Sequence, residues 1–291
     1  MLYLVGSIIF SSWLTLSFKV IEKFGINNLQ AIVFNYFTCV VTGSIINGSF
    51  PIKKTSFSEP WFPWTVVMGT TFVLLFNLVA LTTQKLGVAI SSVAYKLSLV
   101  IPFIFSIYLY DEENTFLKTI GIVLALIAVV LTCYKPSVTL AKKSSVFIAW
   151  FLPFILFIGS GLLDTMIKYV EQRFLNDSNN NNYLVAAFLA ASTVGSVMLG
   201  IQLIRKKQKL SWKSVIAGIA IGIPNYLSIW CLLQVLKDHS SNSSAIIPIN
   251  NMGIVLFSSF MAFVLFREKL SFLNLIGIIL SFGAIALIAF G

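Results

Sequence analysis

Ten apolar segments run through this sequence, at about 2–21, 29–47, 61–83, 88–110, 116–134, 146–169, 183–204, 212–236, 244–266 and 270–290. Polar or turn-forming residues bound each one. A helix needs roughly 20 mostly apolar residues to cross the ~30 Å hydrocarbon layer of a bilayer, so each segment is sized for one crossing. The longest polar connections are 47–60, 135–145 and 171–182, which leaves no room for a soluble domain. The fold class that follows is an all-α membrane protein with ten transmembrane helices. Composition agrees: 58% of the 291 residues are hydrophobic and 10% are charged, against about 25% charged in soluble domains. A membrane β-barrel would alternate apolar with polar residues at every second position, and these unbroken apolar runs do not.

The net charge of +10 does not point to nucleic acid, because the basic residues stand singly or in short clusters between spans. Lysine and arginine in such places are topology signals. Cys39, Cys133 and Cys231 lie inside apolar runs with neither metal-ligand nor disulfide spacing, so no metal and no cofactor is expected. Leu2 to Phe18 has no basic stretch before it and reads as a first membrane helix, not a cleaved signal. With no targeting segment and compact loops, the expected location is the cell membrane, as a multi-pass protein of a bacterial inner membrane.

The chain repeats itself. Residues 108–126 align with 264–282, pairing Glu112 with Glu268, Phe116 with Phe272, Leu117 with Leu273, and Ile120-Gly121-Ile122 with Ile276-Gly277-Ile278, always 156 residues apart. Residues 18–24 align with 167–173, pairing Lys19 with Lys168 and Glu22 with Glu171, 149 residues apart. Five spans therefore occur twice, in 1–134 and 146–291, joined by 135–145. Five is odd, so the second copy must enter the membrane from the opposite face. Inverted repeats of this kind build many secondary transporters, with the site near midplane at the repeat interface.

A fourth span with a mid-span proline (Pro102), a short loop carrying Glu112 or Glu268, and a fifth span opening on Ile-Gly-Ile together resemble the ten-helix, EamA-like branch of the drug/metabolite transporter superfamily. The resemblance covers nearly the whole chain. It implies two EamA-like five-helix repeats with alternating access around a cavity between them. The cargo it implies is an amino acid, amine, nucleotide sugar, sugar phosphate or other metabolite. It also implies cytoplasmic termini. The chain departs from internal symmetry at three places: Ser258 stands where the first copy has Pro102, Pro248 has no counterpart proline, and Met252 aligns with Lys96.

Lys96 is the residue that most needs explaining. It lies about eight residues into a span of about 23, which at ~1.5 Å per residue puts it within about 5 Å of the middle. A lipid-facing lysine there costs at least ~2.5–3.5 kcal/mol. Either Lys96 is a buried cation satisfied by carbonyls or a carboxylate, or it lines a wet cavity and receives an anionic solute. Asp164 is level with a different part of its own span, a mismatch of roughly 15 Å. Its better partner is Lys168, one turn on, and the pair is also a candidate for ion coupling. Asn77, Asn225, Asn250 and Asn251 are polar residues inside spans that either bridge helices or join Lys96 in a substrate-binding site. Trp13 and Trp230 are mid-span and either wall that site or fill space, whereas Trp61, Trp64 and Trp212 lie at span ends. Pro102, Pro224 and Pro248 are candidate hinges. Gly121 with Ala125, and Gly277 with Ser281, form small-residue faces suited to helix packing.

The expected function is secondary active transport, as a permease or exporter, of a small polar metabolite of anionic or amino acid-like character, in a lipid bilayer, as a monomer or homodimer. No phosphate-binding loop is present, since Gly222-Ile223-Pro224-Asn225 lies inside a span. The alternative is an intramembrane enzyme acting on a lipid or isoprenoid substrate. Against it, the single histidine, His239, has no second His or Cys near it in a catalytic pattern. Orientation carries a conflict. With cytoplasmic termini the inside loops hold six Lys and Arg and the outside loops twelve, so the charge rule favours external termini.

Overall fold

The computed structural model describes residues 2–48, 50, 52–110, 115–133, 143–175, 179–205, 209–238, 243–268 and 270–290. Glu112, His239, most of the 135–145 connection and residues 206–208 lie outside them. Among the described residues the regular structure is helical: α1 (Leu2–Lys23), α2 (Asn28–Ile46), a 3-10 turn (Lys54–Ser58), α3 (Phe62–Leu86), α4 (Val88–Leu97), α5 (Val100–Tyr110), α6 (Phe116–Cys133), α7 (Lys143–Phe174), α8 (Asn180–Ile204), α9 (Trp212–Asp238), α10 (Ser243–Phe266) and α11 (Phe272–Phe290). Among the described residues eight segments are long and apolar enough to cross a membrane, with α4 and α5 sharing one of them (Val88–Phe105). Helices α6 and α11 supply two shorter apolar segments. Each expected span corresponds to one of these ten.

Proline explains why the fourth span is two helices. Pro102 has no N–H, and its ring crowds the carbonyl four residues back, which is that of Ser98. Helix α4 ends at Leu97 and α5 starts at Val100. The carbonyls at the break are satisfied locally: the Ile101 N–H donates to the Ser98 carbonyl at 2.9 Å, and the Phe103 N–H donates to the Leu99 carbonyl at 3.2 Å. The Ser98 hydroxyl donates to the Tyr95 carbonyl at 2.6 Å. Pro102 then sits in the first turn of α5, where a missing donor costs nothing. Helices α9 and α10 continue through Pro224 and Pro248. In α9, Gly222 and Gly218 lie directly against Asn35, Thr38 and Phe34 of α2.

The chain divides into two compact units, each drawing on both halves of the sequence: Met1–Lys19, Leu78–Leu162 and Ser228–Gly291 in one, Val20–Asn77 and Leu163–Leu227 in the other. The core of the first is the α6–α11 pair. A Cβ added at Gly121 would lie 3.0 Å from the Ala284 carbonyl and 2.8 Å from Ile288, and one added at Gly277 would lie 2.9 Å from the Ala128 carbonyl and 2.6 Å from the Thr132 nitrogen. Ala128 and Ala284, like Thr132 and Ile288, are themselves 156 residues apart. The contact is reciprocal and the helices run antiparallel. Glycine allows the backbones to approach this closely. The small-residue faces seen in the sequence are thus spent on each other, with Ala125 and Ser281 fully buried between them.

The second unit repeats the device. Gly43 of α2 meets Val185 of α8, and Gly195 of α8 meets Val33 of α2, at 2.9 and 2.8 Å from an added Cβ. Both the glycines and the valines are 152 residues apart. Near the middle of this antiparallel pair Tyr36 stacks on Phe188 with centroids 6.0 Å apart, and Phe72 stacks on both rings at 6.2 and 5.8 Å.

Candidate functional site

Helix α4 begins on a cap that the sequence did not disclose. Gly87 has φ +111°, a conformation open to glycine. It turns the chain so that the Val88 N–H donates to both carboxylate oxygens of Glu268, at 3.1 and 3.0 Å. A carboxylate at a helix N-terminus satisfies an orphan donor and complements the helix dipole. At its other end α4 presents Lys96 in the last turn, where the negative end of the dipole favours a cation. The broken span therefore supplies part of what a mid-span ammonium needs. The Lys96 Nζ also lies 4.6 Å from the centroid of the Tyr95 ring, a cation–π contact. Lys96 is half-buried.

Helix α10 packs antiparallel on α4. The Ser258 hydroxyl donates to the Ser92 hydroxyl at 2.9 Å, and Val88 and Ala262 share one apolar cluster with Leu16. Moving four residues along α4 thus moves four residues back along α10. In this register Lys96 is about four residues from the level of Asn250, or ~6 Å along the axis. Asn250 is 3% exposed and its Oδ1 has no hydrogen-bond partner among the described residues. Burying such an acceptor unpaired costs about 1–3 kcal/mol. Asn251 is half-buried beside it. Helix α1 lies against the same stretch of α10, with Ile8 on Gly253 and the Ser12 hydroxyl donating to the Ile254 carbonyl at 3.4 Å. Of the two mid-span tryptophans, Trp13 is 39% exposed on α1. Trp230 stands edge-on to Tyr3 with centroids 5.6 Å apart.

The remaining candidates fall in the other unit. The Asn225 Nδ2 donates to the Asn35 Oδ1 at 3.1 Å, and both residues are buried. The Cys39 thiol donates to the Gly222 carbonyl at 3.4 Å and approaches the same Asn35 oxygen. The Asn35 Nδ2 is buried without a partner among the described residues. Asn225 is thus engaged in a helix-bridging pair, and sequence spacing gave no sign of its partner 190 residues away. Asn77 donates to the Val73 carbonyl of its own helix at 2.8 Å. Asp164 and Lys168 are half-buried one turn apart on α7. The site candidates that the fold gathers within one unit are Lys96, Asn250, Asn251, Trp13 and Trp230. Ser92 and Ser258 join α4 to α10 there and were not singled out in the sequence. Among the described residues no three His, Cys, Asp or Glu side chains converge.

Eight segments long and apolar enough to cross a membrane, with two shorter apolar helices, make the described residues those of a multi-pass, all-α membrane protein. Residues 148–290 match the EamA-like transporter family. That match supports a membrane transporter or permease in general. Among curated proteins, one described as an uncharacterized protein from Haemophilus influenzae (strain ATCC 51907 / DSM 11121 / KW20 / Rd) is 26% identical over 293 residues, spanning 97% of this chain and 95% of its own. A solved crystal structure shares the fold with a TM-score of 0.64 at 15% identity, covering 98% of this chain and 94% of that one.

Proposed function

We propose that this protein is a secondary active transporter that carries a small polar metabolite by alternating access between two inverted five-helix repeats, 1–134 and 146–291. The reading is supported by Lys96 and the buried Asn250 standing on two antiparallel, directly packed helices about 6 Å apart along the axis. The ammonium receives a carboxylate or phosphate-like group. The buried amide oxygen accepts a hydrogen bond from an amine or hydroxyl of the same solute. An amino acid-like or hydroxy acid-like cargo has both groups. Support for the inverted repeat comes from the α2–α8 and α6–α11 contacts, in which two residues that meet have counterparts that also meet. Asp164 and Lys168 are proposed to serve ion coupling, and the cell membrane is the proposed location.

The experiment is counterflow in proteoliposomes with a panel of amino acids, hydroxy acids and sugar phosphates. Wild-type protein should exchange at least one solute bearing both an anion and a donor. Lys96→Ala should lose that exchange while eluting as a folded species. Exchange confined to cations or to apolar amines in the wild type would overturn the cargo assignment.

A further inference from the structure

The connection between α8 and α9 carries a basic cluster outside the proposed cargo site. Residues 205–213 read RKKQKLSWK, and no Asp or Glu occurs between Asp177 and Asp238. Of its described cations, Arg205, Lys209 and Lys213 are all exposed. Between them stand two exposed apolar side chains, Leu210 at 59% and Trp212 at 75%. Tryptophan at the end of a membrane span belongs at headgroup depth.

Residues 209–211 are held by a single buried side chain. Gln30, only 1% exposed in the first turn of α2, clasps them with both ends of its amide. Its Nε2 donates to the Lys209 carbonyl at 2.9 Å, and its Oε1 accepts from the Ser211 N–H at 3.1 Å. The Gln30 backbone N–H in turn donates to Asn27, the cap of α2, at 3.0 Å. Beyond the clasp, the Ser211 carbonyl accepts from the Ser214 N–H at 2.9 Å as α9 begins. Burying a polar side chain is costly unless it is hydrogen-bonded, and both ends of the Gln30 amide are. Here it fixes the backbone at Lys209 and Ser211, beside the exposed Leu210, Trp212 and Lys213.

We propose that Arg205, Lys209 and Lys213, with Trp212 and Leu210, form a docking surface for the headgroup of an anionic phospholipid, and that Gln30 is its positioning residue. The cations meet the headgroup phosphate and the apolar pair meets the upper acyl chain. Clusters of basic residues beside a membrane helix attract anionic lipid in this way.

The test uses full-length purified protein titrated with dioctanoyl phosphatidylglycerol, dioctanoyl phosphatidylcholine or glycerol phosphate, read by thermal shift and native mass spectrometry. Phosphatidylglycerol should bind more tightly than phosphatidylcholine, and glycerol phosphate should not compete. Each basic group near an anionic surface is worth about 5-fold, so Arg205→Gln/Lys209→Gln/Lys213→Gln should weaken the phosphatidylglycerol site about 100-fold. Lys53→Gln/Lys54→Gln, on another connection, should leave it intact. Gln30→Leu keeps every cation, yet should lower phosphatidylglycerol affinity while leaving phosphatidylcholine binding unchanged. For wild-type protein, raising salt from 0.1 to 1 M shortens the screening length from about 10 to 3 Å and should remove the preference. Equal binding of the two lipids, a preference that survives high salt or the triple substitution, or full competition by glycerol phosphate would overturn the proposal.

Discussion

Gly277 of α11 packs on the carbonyl of Ala128 in α6, and that contact is the mirror of the one Gly121 makes with Ala284. At both places a methyl group has nowhere to go but into backbone. Gly277→Ala is therefore expected to destabilise the folded protein by about 1–3 kcal/mol, the usual consequence of overpacking. Gly283 lies on the same helix with nothing within 4 Å of an added Cβ. Gly283→Ala should leave stability unchanged or slightly raised. Thermal unfolding in one detergent compares the two, and equal effects would contradict the α6–α11 contact.

The α4 cap makes a second pair of expectations. Gly87→Ala combines a left-handed backbone with an added Cβ 2.9 Å from the Glu268 carboxylate. Strain of that kind costs about 1–2 kcal/mol before any clash. Glu268→Ala removes the acceptor for the Val88 N–H and should cost about 0.5–2 kcal/mol, whereas Glu268→Gln should recover part of it. Unfolding midpoints of the three variants check this order.

The buried amide pair is open to a double-mutant cycle. Asn225→Leu strips the Asn35 oxygen of a donor, and Asn35→Leu strips Asn225 of its acceptor. Interhelical bonds in membranes average about 0.6 kcal/mol. The coupling energy should be of that size, and the double variant should be less damaged than the two singles predict together. Strict additivity would mean that the pair does not interact.

Pro102 tests whether the break in the fourth span matters to transport. Pro102→Ala restores an N–H for the Ser98 carbonyl and lets α4 join α5. Stability should hold or rise by the usual preference of alanine over proline in a helix. Solute exchange should fall, because Lys96 loses its place at a helix end. Unchanged exchange in a more stable protein would separate the break from function.

Hydropathy alone laid out the spans, since the length of apolar runs is set by the bilayer and needs no tertiary information. The α6–α11 contact was foreshadowed by the matched Ile-Gly-Ile runs and their small neighbours. The α2–α8 contact was equally readable, as Val33 with Gly43 against Val185 with Gly195, but valine and glycine are so common in membrane helices that the match carries little weight by eye. Proline positions were a poorer guide. Pro102 breaks its span, whereas α9 runs through Pro224 and α10 through Pro248. The Gln30 clasp, the Asn35–Asn225 pair and the Glu268 cap join residues far apart in sequence by single side chains. No periodicity encodes such contacts. Lys96 stood out because charge inside an apolar run is costly, whereas Asn250 was one of several mid-span amides and is set apart by an oxygen buried without a donor among the described residues.

The most direct measurement is exchange by Lys96→Ala in proteoliposomes, using the panel solute that most stabilises wild-type protein against heat, with Lys96→Arg alongside. Loss of a hydrogen bond to a charged group, worth about 1.5–3 kcal/mol, should slow exchange at limiting solute about 10- to 100-fold in Lys96→Ala. Lys96→Arg should keep a measurable part of the rate. A folded Lys96→Ala protein that exchanges the solute as fast as wild type would contradict the assignment of this ammonium to the cargo.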